Sequence, residues 1–178
     1  MKILIYKRTH KGDPDSKGIF GNQDCMGKVR NWNYDAVIGI GGKTPWKEDQ
    51  GIKYKINWIG LGPKKVQSSL RGPGVVFSNF ALFEESGEDI EDKYPHLFEY
   101  MYGSRKRFDM SSTLPATVFI EVKNILDSAQ IFPPSPEYHT ENFDGVSKES
   151  HGIIRKCNGC YDGMNIEIEI DQHMSCSD

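Results

Sequence analysis

The chain predicts an α+β fold with a mixed or mainly antiparallel sheet and two or three helices. Three observations carry that expectation. β-prone apolar runs come first, apolar residues at helical spacing come later, and one further β-prone run stands near the C-terminus. The length of 178 residues suits one domain with at most a small appendage.

The first element is Lys2–Lys7 (KILIYK), an apolar run read as a strand. A stretch from His10 to Arg30 follows, in which Gly12, Pro14, Gly18, Gly21 and Gly27 forbid a helix. A connection of that length inside a compact domain carries function or is pinned down. Its own Ile19, Phe20, Cys25, Met26 and Val29 predict that it is pinned to the core. Tyr34–Ile40 (YDAVIGI) reads as a second strand, closed by Gly41 and Gly42, and Lys53–Leu61 (KYKINWIGL) as a third, the two forming a hairpin-like unit. Arg71 to Gly74 reads as a turn and Val75–Phe83 as a fourth strand. Pro95 suits the first turn of a helix, so Ile90, Tyr94, Leu97, Tyr100 and Met101 predict one over Pro95–Tyr102. Val118, Val122, Ile125 and Leu126 predict another over Ala116–Ser128. After Gln130 the sequence turns proline-rich and loses its period. The expected organisation is therefore a domain over 1–130, followed by a Pro-rich arm and a Cys/His coda over 131–178 that contains the strand NIEIEI.

Composition excludes several classes. Three Trp, eight Tyr and nine Phe are too many for a disordered chain. No apolar run approaches the roughly 18–20 residues that cross a bilayer, and the N-terminus lacks a signal-peptide pattern, so a cytoplasmic protein with no membrane partner is expected. In that compartment the four cysteines are thiols or metal ligands rather than disulfides. With 22 basic and 25 acidic residues the net charge is −3, which gives no global preference for nucleic acid; a basic patch would have to be local.

Four constellations bear on chemistry. Cys157, Cys160, His173 and Cys176 supply three thiols and an imidazole in two short pairs, the donor set of a structural zinc. They are equally ordinary thiols near a chain end. Gly39 to Gly42 followed by Lys43 makes a glycine-rich strand exit where backbone can approach a phosphate, although neither P-loop spacing nor a following helix accompanies it. His10, Asp13 and Asp24 place acid and imidazole groups on one glycine-rich connection, as general acid–base catalysis needs and as any solvated loop contains. Arg8, Lys28, Arg30 and Lys43 are cations suited to phosphate, and Trp46, in a polar stretch, is the tryptophan best placed to stack a base, whereas Trp58 reads as core.

The run ILIY, the pair Phe20-Gly21, then Cys25, then Val29-Arg30, then Asp35 to Gly42 resembles the second of the nucleotide-modification-associated domain families. VVFSNFALFEESG is similar to a later strand of that family, and Gly103 to Phe108 to its basic, aromatic-ended turn. Tyr34, Ala36 and Ile40 stand where the family has Gly, Trp and Thr. The resemblance implies nucleotide or modified-base handling in a bacterial or phage DNA-modification or defence system. Read together, these features predict a phosphate-containing ligand, nucleotide or nucleic acid, in a cleft between the 10–30 connection and the 39–43 turn. Arg8, Lys28, Arg30, Gly41, Gly42, Lys43 and Trp46 would bind it. Two alternatives stand beside this. One is a nucleotide-processing enzyme of glycosyl- or ADP-ribosyl-transfer type using His10, Asp13 or Asp24. The other is an interaction or inhibitor domain with a protein partner and no catalysis.

Overall fold

The structure, a computed structural model, describes residues 1–7, 14, 16–21, 29, 32–41, 54–68, 72–83, 86–102, 114–139, 154–161 and 164–171. Its strands are β1 (Lys2–Lys7), β2 (Ala36–Ile40), β3 (Ile56–Ser68), β4 (Gly72–Leu82), β5 (Ile154–Tyr161) and β6 (Met164–Asp171). Among the described residues the helices are α1 (Ile90–Lys93), α2 (Pro95–Tyr102) and α3 (Ala116–Ala129), and Val29 is helical too, against the expectation that the glycines of 10–30 forbid a helix there. The strands form one sheet in the order β4-β3-β2-β1-β6-β5. β1 runs parallel to both β2 and β6, and the other neighbours are antiparallel, so the sheet is mixed and the fold is α+β.

Both helices expected from apolar spacing form, α2 over the expected residues and α3 one residue longer. The turn expected at 71–74 differs: Gly72 to Gly74 belong to β4, and β3 runs on to Ser68. Pairing from Ser68↔Gly72 to Trp58↔Leu82 makes a long two-stranded ribbon that outruns β2. Glycine and proline chemistry at 72–74 signalled a turn, but ladder pairing extends through it. Cys157 to Cys160 lie in β5. Described residues beyond 130 join the same sheet, since β6 lies beside β1 and residues 133–135 lie along β4.

The sheet is apolar on both faces. Ile3 and Ile5 of β1, Ala36, Ile38 and Ile40 of β2, and Ile56 and Ile59 of β3 pack with Leu97, Met101, Val118, Val122, Ile125 and Leu126 of the helices. On the other face Leu4, Val37, Trp58, Val75 and Phe77 meet Phe20, Val29 and Trp32 from the long connection. A β-bulge serves this division. Gly39 opposes Trp58 while Ile40 opposes Ile56, so Asn57 is the extra residue. The bulge lets Ile56 and Ile59, three apart, share the helix face.

The β4 edge is closed by two passing segments. Phe20 and Val75 exchange backbone hydrogen bonds of 2.8 Å. Phe80 N–H donates to Pro133 O and Ser135 N–H to Phe77 O, at 2.8 and 2.9 Å. The Ser135 hydroxyl accepts from Phe77 N–H at 2.9 Å and donates to Gly18 O at 3.0 Å. Asn79 donates to the carbonyls of Gln130 and Phe132, capping the end of α3. Pro133, Pro134 and Pro136 hold this segment extended, and it bonds β4 through its carbonyls and one serine.

Ser135→Ala strips two buried backbone groups of their partner, so a loss of about 1–3 kcal/mol of stability is expected in urea unfolding. A change below about 0.5 kcal/mol would show that water replaces the hydroxyl. A methyl group on Gly39 would lie 2.1 Å from Trp58 Nε1. Gly39→Ala should therefore cost about 1–3 kcal/mol and alter the near-UV dichroism of the tryptophans. An unchanged spectrum with unchanged stability would show that the ring has room to move.

Candidate functional site

Because β1, β2 and β6 are parallel, their carboxyl ends lie at one end of the sheet. Lys7 stands opposite Ile40, and Tyr6 opposite Asp171. The stretches carrying Arg8 and His10, Gly42 and Lys43, and His173 all follow directly from that end. Ligands of open sheets bind outside the carboxyl ends of parallel strands, where side chains from neighbouring strand exits converge. Arg8, His10, Asp13, Asp24, Lys28, Arg30, Gly42, Lys43, Trp46, His173 and Cys176 themselves lie outside the described residues.

The described residues of the glycine-rich exit serve the fold. Trp58 lies against Gly39, so this glycine makes room for an indole ring. Gly41 adopts φ +116°, and its N–H donates to Lys55 O at 3.0 Å. That amide is spent on closing β2 against the start of β3 instead of facing a ligand. Asp35, the acidic residue of the YDAVIGIGG run, accepts Lys2 N–H at 2.6 Å and donates its own N–H to Lys2 O at 2.7 Å. It clamps the amino ends of β1 and β2, at the opposite end of the sheet from the strand exits. Trp32 and Phe20 meet at 5.2 Å and Phe20 and Trp58 at 5.8 Å, so both described tryptophans are core residues.

Cys157 and Cys160 stand opposite Ile168 and Asn165 in the β5–β6 hairpin, and Ile154 stands opposite Asp171. Six strand positions, about 20 Å, therefore separate Cys160 from the point where the tail bearing His173 and Cys176 begins. Among the described residues no group of three or more His, Cys, Asp or Glu is placed to hold a metal.

A cavity of about 250 Å³ opens on the helix face at the same end of the sheet as the strand exits. Ile56, Ile59, Phe83, Ile125 and Phe132 form its apolar walls, and Ser86, Glu88, Tyr94 and Ser128 its polar part. The 83–90 segment is fastened there by Phe83 N–H to Asn57 O, Ile56 N–H to Glu88 O and Ile90 N–H to Tyr54 O, at 2.7, 2.9 and 2.9 Å. Asp89 then caps α1 by accepting Glu91 N–H. This anchoring sets Glu88 to accept the Tyr94 hydroxyl at 2.6 Å. Behind it, Glu121 of α3 accepts from the N–H groups of His96 and Leu97 in the first turn of α2, at 3.2 and 2.7 Å. A carboxylate there satisfies free helix amides and meets the positive end of the dipole.

Sequence reasoning missed this cavity. Tyr94 was read there only as an apolar helix position, and nothing in the spacing of Ser86, Glu88 and Ser128 joins residues from two distant stretches. The run 84–92 does hold six acidic residues, of which Glu88 lines the cavity.

Comparison with known proteins adds no relative. No family model matches the chain, no curated protein matches it, and no solved structure matches it.

Burial pushes the Tyr94 phenol well above its usual range, and the hydrogen bond to Glu88 and the charges of Glu88 and Glu121 push the same way. The folded state thus holds this proton more tightly than the unfolded chain. Its contribution to stability is whole below about pH 10 and is lost as the pH rises above that value. In a spectrophotometric titration, the phenolate step missing from Tyr94→Phe should lie above the ordinary tyrosine range near pH 10. An early missing step would show that Tyr94 is solvated.

Proposed function

We propose that the protein is a nucleotide- or modified-base-handling domain of a bacterial or phage DNA-modification or defence system, holding a phosphate-containing ligand at the carboxyl ends of β1 and β2. The observation that carries this reading is the parallel register of β1 and β2. It sets Lys7 opposite Ile40, and Arg8 and Lys43 follow these two strand ends by one and three residues in sequence. The resemblance of residues 3–43 to the nucleotide-modification-associated family supplies the substrate class. Lys28 and Arg30 flank Val29 in sequence, and Val29 is buried against the sheet face that Leu4 and Val37 share. A local group of cations in a protein of net charge −3 would be matched by phosphate. With the Gly41 amide committed to Lys55 O, this reading assigns the phosphate to Arg8, Lys28, Arg30, Gly42 and Lys43.

The test is titration with mononucleotides, single-stranded DNA and duplex DNA. Arg30→Ala should weaken binding by about 1–3 kcal/mol, the scale of a lost charge-assisted hydrogen bond. Added salt should weaken it further if several phosphates are held. Absence of binding, or binding unchanged in the Lys28→Ala, Arg30→Ala double variant, would overturn the reading and leave a protein-interaction domain in its place.

A further inference from the structure

We infer that the cavity between α3, the 83–94 segment and the start of β3 is a pocket for a single planar base, and that its chemistry selects guanine. This deepens the strand-end reading and rests on it for the ligand class.

The location comes first. Ile56, on the cavity wall, stands opposite Ile40, the last residue of β2. Neighbouring strands are about 4.8 Å apart, so the cavity begins one strand spacing from the strand exits. A ligand held by phosphate at those exits reaches the helix face with its base.

Size and walls come next. At about 250 Å³ the cavity lies below the roughly 300–1,000 Å³ of sites that enclose drug-sized molecules, which suits one ring system rather than a whole nucleotide. Phe83 and Phe132 stand edge-on at 5.7 Å, and Ile56, Ile59 and Ile125 complete an apolar lining. Flat aromatic ligands are held between such walls by stacking and burial.

The polar wall decides the identity. Three side-chain hydroxyls line the cavity, and each proton is already used inside the protein. Ser86 donates to Phe83 O at 2.6 Å, Ser128 to Ile125 O at 2.7 Å, and Tyr94 to Glu88 at 2.6 Å. What these side chains offer a ligand is lone pairs and a carboxylate. The ligand must therefore bring the donors. Guanine presents N1–H and the N2 amino group side by side, and a carboxylate accepts both. Adenine and cytosine set a ring-nitrogen acceptor next to their amino group, and uracil and thymine flank their single N–H with two carbonyls, so each turns a lone pair toward Glu88.

The experiment is calorimetric titration of the full chain with guanosine, adenosine, cytidine and uridine, which carry no phosphate. Guanosine should bind and the other three should bind at least about 10-fold more weakly. Glu88→Gln, which replaces one acceptor by a donor, should weaken guanosine about 10–100-fold. Ser128→Trp, at an exposed position of α3 on the cavity wall, should block guanosine by filling the space while leaving Glu88 in place. Circular dichroism confirms that both variants are folded. A guanine-containing single-stranded oligonucleotide beside the free nucleoside then separates nucleic acid from small-molecule sources of the base. Equal binding of all four nucleosides, no binding of guanosine, or guanosine binding indifferent to both variants would overturn the inference. The two readings fail separately. Monophosphates that bind without regard to base would sink the guanine pocket alone, and guanosine bound as tightly as its monophosphate would sink the phosphate site alone.

Discussion

A sheet that is apolar on both faces must be covered on both, and the covers come from different parts of this chain. β1 sets the problem: Ile3 and Ile5 enter one layer and Leu4 the other, all three buried. α2 and α3 cover the first layer. The second is covered from the connection between β1 and β2, whose Phe20, helical Val29 and Trp32 form an aromatic-rich set of contacts over Trp58 and Phe77. The length and glycine content of this connection follow from that duty. Gly18 and Gly21, at φ +70° and +105°, turn the chain where Ile19 and Phe20 enter the core, and helical Val29 arrives from a separate point.

The same constraint explains the proline-rich stretch. β4 is an edge strand, and an uncovered edge of unpaired N–H and C=O groups invites pairing with other chains. Residues 133–135 and Phe20 satisfy that edge, with the Ser135 hydroxyl joining both covering segments to β4. Lys64 extends the fastening by donating to Tyr138 O at 3.0 Å. One face cover and one edge cover are thus mutually dependent, since Gly18 and Phe77 meet through a residue far along the chain.

Both proposed contacts lie where these layers end. The carboxyl ends of β1 and β2 open between the two faces, and the cavity opens on the helix face beside them, where the 83–90 segment is laced to the start of β3. Glycines that suggested ligand contact proved to be structural at Gly39 and Gly41, because a close-packed indole and a strand closure each demand a missing side chain or a positive φ. Among the described residues no helix is long and apolar enough to cross a membrane.

Much was legible in the sequence where the signal is local. Apolar alternation and spacing determined β1, β2, α2 and α3, and apolar residues inside a glycine-rich stretch determined that Phe20 and Val29 anchor it. These follow from propensity and period, which neighbours in sequence carry by themselves. The tertiary structure alone decided the rest. It placed β6 parallel beside β1, made Gly72 to Gly74 a strand, and turned CNGC into half of a hairpin. Strand order and ladder extent depend on partners far apart in the chain, and no local pattern encodes them. The cavity shows the same limit, since Ile56, Glu88 and Ser128 become neighbours only when β3, the 83–94 segment and α3 close on one another.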